Sequence, residues 1–285
     1  MIVEIDERGI NSGAPTINVV RSGHTFKGKS ATLSMTSRLD TLRPSVFRDT
    51  PDIVAGFSTR MGGASEGPFA GLNVGGSVGD DLEIVRENRQ RLLEALGFDL
   101  DALATVGQVH GADVATVTVP GHTPEHDGLV TDRPGIALGI VVADCGAVLL
   151  ADAEAGVVGA CHAGWRGAVG EIPRRTVEAM EALGAQPARV RAYVGPCIGP
   201  EDFEVGPEVA ARFDEAHVLQ LPGKEKPHVD LAGAIAAQLR AVGLDENNIE
   251  VEGCSTFDTE RFYSYRAEGG KTGRMMGVIG MRGDA

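Results

Sequence analysis

Apolar residues fall into short runs and spaced stripes from Asp52 onward. Before that, residues 1 to about 50 mix charged, Ser/Thr and Gly residues with brief apolar patches such as Ile17 to Val20. This first segment reads as a partly ordered N-terminal extension that contributes one or two edge strands. The apolar run IVAGFS then passes into a long glycine-rich stretch, TRMGGASEGPFAGLNVGGSVGDD. Glycine there either lets backbone approach a ligand closely or marks a succession of tight turns. Asp80 or Asp81 caps a helix whose inward stripe is Val85, Leu92 and Leu96, and Gly97 is placed to end it.

Between Thr105 and Ala160 the chain is rich in Val, Ile and Leu, broken by Gly, Pro and Asp. IALGIVVA, AVLLAD and GVVGACHA read as three successive strands of one sheet. After His162 the pattern turns helical, with Val169, Ile172, Thr176, Met180 and Leu183 at three- and four-residue spacing. Pro173 belongs only in a first turn, so the regular helix is expected to begin near Gly170. Another helix runs from Leu231 through Ile235 and Leu239 to Val242, capped by Asp230 and stopped by Gly243, and the end of the chain supplies two more strands around a polar, Arg-containing turn. Strands and helices mix without a linker, which predicts one α/β (or α+β) catalytic domain over residues 51–285.

Composition narrows the function classes. The chain carries 26 basic and 40 acidic residues, a formal charge of −14, with no Lys/Arg-rich run. Nucleic-acid binding rests on clustered Lys and Arg, so that role is disfavoured, whereas a few local arginines still suffice for a small anion. No stretch approaches the roughly 20 apolar residues of a membrane span, and MIVEIDERGI does not resemble a secretory signal. A cytoplasmic protein is expected. Cys145, Cys161, Cys197 and Cys254 lie far apart without CxxC pairs, as reduced thiols rather than a disulfide framework would.

Three of the potential metal ligands share a setting. His110 follows an apolar run and precedes Gly111, Cys145 closes the segment IALGIVVADC, and His162 ends the run GVVGAC. Strand ends are where polar side chains converge on ligands in α/β proteins, and the separations allow each residue to come from a different strand of one sheet. Two imidazoles and a thiolate suit zinc, with a fourth position left open as in catalytic sites. Each residue also has a bland reading, Cys145 as a buried thiol and the histidines as hydrogen-bonded fillers. Cys161, on the opposite face of its strand from His162, reads as core. His122 and His126, in GHTPEH, read as a surface loop, and His24, His217 and His228 have no comparable setting.

The segments GFSTRMGG, QVHGADV, DGLVTDRPGIALGIVVADC, HAGWRG, VGPCIGPEDFEVG and FYSYR…TGR together resemble the polyphenol oxidase/laccase-domain family, also named peptidoglycan editing factor or multicopper polyphenol oxidase. The likeness runs from about residue 52 to 283. It implies a single-domain, four-layer αββα sandwich with mixed sheets, and a zinc site on His110, Cys145 and His162. The implied activity is purine nucleoside phosphorylase, acting on adenosine, inosine, guanosine and methylthioadenosine, with adenosine deamination beside it. Arg60, of STRxGG, is implied as a substrate-site and catalytic residue. Where the family usually has Thr-Pro or Ser-Pro after its Cys, this chain has Gly146 and Ala147, and Pro173 replaces an apolar helix residue.

Phosphorolysis needs an anionic nucleophile placed beside C1′ and a leaving purine whose developing charge is stabilised. Arg60 and Arg166 are candidate anion partners, with a surface or strand-end salt bridge the equal alternative for each, and Asp127 and Asp144 are candidate carboxylates for orienting a ligating histidine. A laccase-type copper oxidoreductase is one rival, although 7 His without an HxH pair do not supply a trinuclear cluster. Another is a cysteine hydrolase acting on peptidoglycan precursors, with Cys145 as nucleophile and His162 or His110 as base. A non-enzymatic nucleoside-binding module is the third. Zinc and copper, and monomer and homodimer, are all compatible with the sequence.

Overall fold

The computed structural model describes residues 39–283. The extension read over 1–50 therefore lies mostly outside the described residues, as do Ile17 to Val20 and His24. Fourteen strands alternate with five helices: β1 (Thr41–Leu42), β2 (Ile53–Ser58), α1 (Leu82–Leu96), β3 (Leu103–Val106), β4 (Val114–Thr116), β5 (Gly121–Thr123), β6 (Gly128–Thr131), β7 (Ala137–Val142), β8 (Gly146–Asp152), β9 (Val157–Ala163), α2 (Trp165–Val169), α3 (Ile172–Glu181), β10 (Arg191–Val194), α4 (Pro207–Ala210), β11 (Val218–Leu219), β12 (His228–Val229), α5 (Leu231–Ala241), β13 (Ile249–Val251) and β14 (Met275–Met281). None of these helices is long and apolar enough to cross a membrane.

Two mixed six-stranded sheets carry the domain, in the orders β1-β2-β14-β7-β3-β5 and β13-β10-β8-β9-β6-β4. Their spacing follows from alternation along the strands. In β8, Ala147 and Leu149 join Phe57, Ile140 and Ile279 in the core between the sheets, while Val148 and Leu150 face the opposite way onto Ile172, Val177, Ile235 and Leu239. A third apolar cluster packs Val54, Met276 and Val278 against Leu92, Leu93 and Leu96 of α1. The layers are helix, sheet, sheet, helix, the αββα arrangement. Phe47, N-terminal to residue 51, is buried in the core between the sheets, and β1 pairs antiparallel with β2.

The helix over 82–96 is closed as its sequence dictates: the Asp81 carboxylate accepts from the Glu83 amide, and Gly97 ends it at φ 85°. One expectation needs correction. IALGIVVA belongs to the first sheet, between β14 and β3, whereas AVLLAD and GVVGACHA belong to the second. Continuous apolar runs mark burial on both faces but do not say which sheet a strand joins. The regular helix expected to begin near Gly170 is α3, which starts at Ile172 with Pro173 in its first turn; a short separate helix, α2, precedes it, and Glu171 at φ 61° parts the two.

Candidate functional site

The chain crosses between the sheets repeatedly at one end of the sandwich, and those crossings bear the polar side chains. His110 lies between β3 of the first sheet and β4 of the second, and Cys145 lies in the short link from β7 to β8. His162 is on β9 itself, with the same parity as Val158 and Ala160, so it points into the space between the sheets. The three candidate residues thus come from two crossings and one strand, not from three strands of one sheet. Their donor atoms lie within 4.8 Å of one another, and the imidazoles of His110 and His162 meet edge to face with centroids 4.8 Å apart.

Asp127, fully buried just before β6, organises this corner. One carboxylate oxygen accepts from His162 Nδ1 at 2.8 Å. A carboxylate only accepts, so Nδ1 carries the proton and Nε2 is left for a ligand. The carboxylate also accepts the amides of Val109 at 3.1 Å, His110 at 3.0 Å and Gly111 at 2.7 Å. Those bonds hold His110 at φ 61°, a left-handed conformation costing about 1 kcal/mol or more in a non-glycine residue. Gln108, also left-handed at φ 50°, is fixed by exchanging two side-chain hydrogen bonds with the Val141 backbone.

Electrostatics separates the thiols. Burial pushes the Cys145 thiol up, but hydrogen bonds and charge from His110 and His162 outweigh it and bring it down to about 6. For His162, burial acts downward, while Asp127 and then Cys145 raise it to about 9. A thiolate beside two imidazoles is the donor set a borderline cation requires. Gly164 closes the corner from behind, since a Cβ there would sit 2.8 Å from Cys145 Sγ and 3.4 Å from the His110 ring. The residues and the space fit a metal ion.

The other residues marked in the sequence are placed differently. Asp144 touches neither histidine; its carboxylate accepts from Thr256 Oγ1, Ser264 Oγ and the Arg266 amide, each at 2.7 Å, and holds the 256–266 turn. Arg60 lies outside the cavity described below. Its guanidinium pairs with Glu268 at 3.2 Å, donates to the Thr259 carbonyl at 2.6 Å and stacks on Tyr263. Arg166 is exposed and stacks 4.3 Å above Trp165. Neither arginine lines the cavity. Gly146, where the family usually has a hydroxyl residue, sits where a Cβ would meet Ile235 Cδ1 at 2.7 Å, so close approach of α5 explains the glycine.

The cluster opens into a cavity of about 890 Å³ whose wall includes Arg89, Arg274, His122, Trp165, Phe203 and Tyr265. Sequence reasoning missed Arg89, Arg274 and His122 there. Arg89 had a readable signal: with Asn88 it interrupts the stripe Val85, Leu92, Leu96 on the inward face of α1. Arg274 stood in the TGR segment without a role. His122, expected in a surface loop, lies on edge strand β5 and hydrogen-bonds Thr105 Oγ1 at 3.1 Å.

A family model described as multi-copper polyphenol oxidoreductase laccase matches residues 54–282. A Deinococcus radiodurans protein named purine nucleoside phosphorylase is 50% identical over 228 residues, covering 79% of this chain and 88% of the relative. A Streptomyces griseus protein named purine nucleoside phosphorylase ORF3 is 40% identical over 233 residues, 78% of this chain and 92% of the relative. The crystal structure of YlmD from Geobacillus stearothermophilus superposes with a TM-score of 0.79 at 35% identity, covering 85% of this chain and 96% of that one. The match begins in β2 and ends just past β14, so it takes in both sheets and the whole cluster: this chain belongs to the multi-copper polyphenol oxidoreductase laccase family.

Proposed function

We propose that the chain is a metal-dependent purine nucleoside phosphorylase, with His110, Cys145 and His162 holding zinc in preference to copper. The observation that carries this reading is the convergence of three soft and borderline donors on the wall of a nucleoside-sized cavity. Relatives bearing the phosphorylase name support it. A zinc ion held there would supply Lewis acidity toward a phosphate oxygen, or toward a water for hydrolytic deamination of adenosine.

The chain's own residues do the rest. Asp127 keeps His162 in the tautomer that leaves Nε2 free and fixes the His110 backbone. Ile198, Phe203 and Leu231, buried and apolar, with half-buried Trp165, form a cavity wall suited to a purine face. Adenosine, inosine, guanosine and methylthioadenosine share that purine and ribose, so all four are proposed substrates with phosphate, in a cytoplasmic monomer or homodimer that binds neither nucleic acid nor membrane. Among the described residues one cluster offers three such ligands, too few imidazoles for a laccase's trinuclear copper.

A metal-free cysteine hydrolase has one observation in its favour, the Cys145 thiol drawn down beside two imidazoles. Metal analysis separates the two. The test is inosine turnover with and without phosphate, for wild type and His162→Ala, alongside zinc content. Phosphate-dependent release of hypoxanthine by zinc-loaded wild type, lost in the variant, is the expected result; equal turnover by the variant sinks the reading.

A further inference from the structure

Three guanidinium groups line the cavity without a carboxylate partner among the described residues: Arg266 is exposed and donates Nη1 to the Glu204 carbonyl at 3.0 Å, whereas Arg89 and Arg274 flank one glycine loop. Among the described residues, Arg89 of α1 hydrogen-bonds only through Nε, to the Val74 carbonyl at 2.8 Å, and Arg274 only through Nη1, to the carbonyls of Thr272 at 2.9 Å and Gly273 at 2.8 Å, with its guanidinium 5.6 Å over the Tyr265 ring. No ion pair forms to either among the described residues. Both are half-buried, and burial pushes both guanidinium groups down from their ordinary value. Asp144 exerts charge on Arg274 from a distance, but its oxygens are taken by Thr256, Ser264 and the Arg266 amide. In a chain of net charge −14, unpaired cations in a partly dry wall are costly unless an anion joins them.

The loop between the two arginines is shaped for such a guest. At Gly75 a Cβ would strike Arg274 Cγ at 2.6 Å, and at Gly76 it would lie 3.7 Å from Arg89 Nη2, so the chain threads between the two side chains. The amides of Gly76 and Ser77 and the Ser77 hydroxyl make no hydrogen bond among the described residues, and all of Gly75–Ser77 lines the cavity. The arginine end belongs to the first sheet and α1, and the apolar end, with Phe203, Ile198 and Leu231, to the helical layer of the second. His110 and Cys145 of the candidate metal cluster sit on crossings that join the two sheets, and His162 on β9.

We propose that Arg89, Arg274 and the Gly75–Ser77 backbone form a subsite for inorganic phosphate. Two cations match the dianion, and free amides take its remaining oxygens. The subsite rests on the phosphorylase reading for its purpose. There the phosphate oxygen bonds to C1′ as the C1′–N9 bond breaks, its electron pair leaves with the purine, and the proton of hydrogen phosphate ends on the base. The products are ribose 1-phosphate and the free purine.

The test titrates inorganic phosphate calorimetrically into zinc-loaded wild type, Arg89→Gln, Arg274→Gln and Gly76→Asp, and measures KM for phosphate and for inosine. Gly76 is exposed, lacks a positive φ, and a Cβ there would meet nothing closer than Arg89 Nη2 at 3.7 Å, so its substitution guards against misfolding of the arginine variants. The new carboxylate pairs with Arg89 and competes with the ligand. Each variant is expected to weaken phosphate binding about 10-fold or more, the scale of a lost charged hydrogen bond, with inosine KM within about 3-fold. Phosphate that fails to bind wild type, or binds all three variants within about 2-fold of it, overturns the subsite. Phosphate binding lost in the variants, in a wild type that shows no phosphate-dependent turnover, leaves the subsite standing while the phosphorylase reading falls.

Discussion

Cys161 and His162 are neighbours on β9, yet they open onto regions with opposite chemistry. Cys161 faces the layer between β9 and α3, where it is fully buried among Val177, Met180 and Ile172. Burial pushes its thiol up to about 12, against a weaker opposing bond from Thr176. His162 faces the crossing between the sheets, where Cys145 is brought down to about 6. One thiol type is pushed up as buried filler in one region and drawn down beside two imidazoles in the other, and the difference lies in which face of β9 carries an imidazole. Thiol reactivity here is a property of the layer, not of the residue.

The largest expected effect separates the two thiols directly. In chelator-stripped protein at pH 7, iodoacetamide labels Cys145 more than about a thousandfold faster than Cys161, since the thiolate fraction and access both favour it. Cys145 labelling rises through about pH 6 and then levels off, whereas an ordinary thiol keeps gaining toward 9.0. Half-buried Cys254, raised by burial and Glu252, is the control that follows the later curve. Peptide mass spectrometry reads all sites at once, and added zinc should protect Cys145. Comparable rates at Cys145 and Cys161 would erase the contrast.

Removing the donor comes next. Cys145→Ala leaves two imidazoles, and zinc stoichiometry should fall well below one with kcat/KM down by more than about 100-fold, beyond the loss expected for a supporting partner. Asp127→Asn tests that supporting role and should weaken zinc binding by about 10- to 100-fold. Its stability signature has a definite sign. Burial pushes the Asp127 carboxyl up, but bonds from His162 and the Gly111 and His110 amides leave it net below the usual carboxylate range. Its contribution is therefore complete above the unfolded value near 4 and fades as pH falls through the lower folded value. The gap between wild type and Asn variant in urea unfolding should be widest near neutrality and close in acid; a gap that widens in acid contradicts the assignment.

Much of this contrast was legible before any coordinates. Alternation along GVVGACHA is enough to put Cys161 and His162 on opposite faces, and the capping residues Asp81 and Gly97 fix α1. What periodicity does not carry is partnership between distant segments. IALGIVVA is apolar on both faces, so nothing local says that it pairs with β14 and β3 rather than with β8. The arginines failed for the same reason. Arg60 sits in a conspicuous motif but is consumed by Glu268 and two carbonyls. Arg89 sits in an ordinary helix and keeps both terminal nitrogens free, a distinction that exists only after the glycine loop has folded over it.

The smallest effect is the sharpest check on the comparison. Cys161→Ala removes one sulfur from the layer beneath α3, beside Thr176, whose hydroxyl is already bonded to the Ile172 carbonyl at 2.7 Å. No charge is involved, so the loss should be about 1 kcal/mol, the usual range for deleting one buried heavy atom, and flat between pH 5 and 8. Zinc content and kcat/KM for inosine should stay within about twofold of wild type, because β9 is held from both sides by seven-residue pairing with β8 and by β6. A variant that keeps its fold but loses zinc would mean that the face under α3 positions His162 through the strand, and the two regions would then be one mechanical unit.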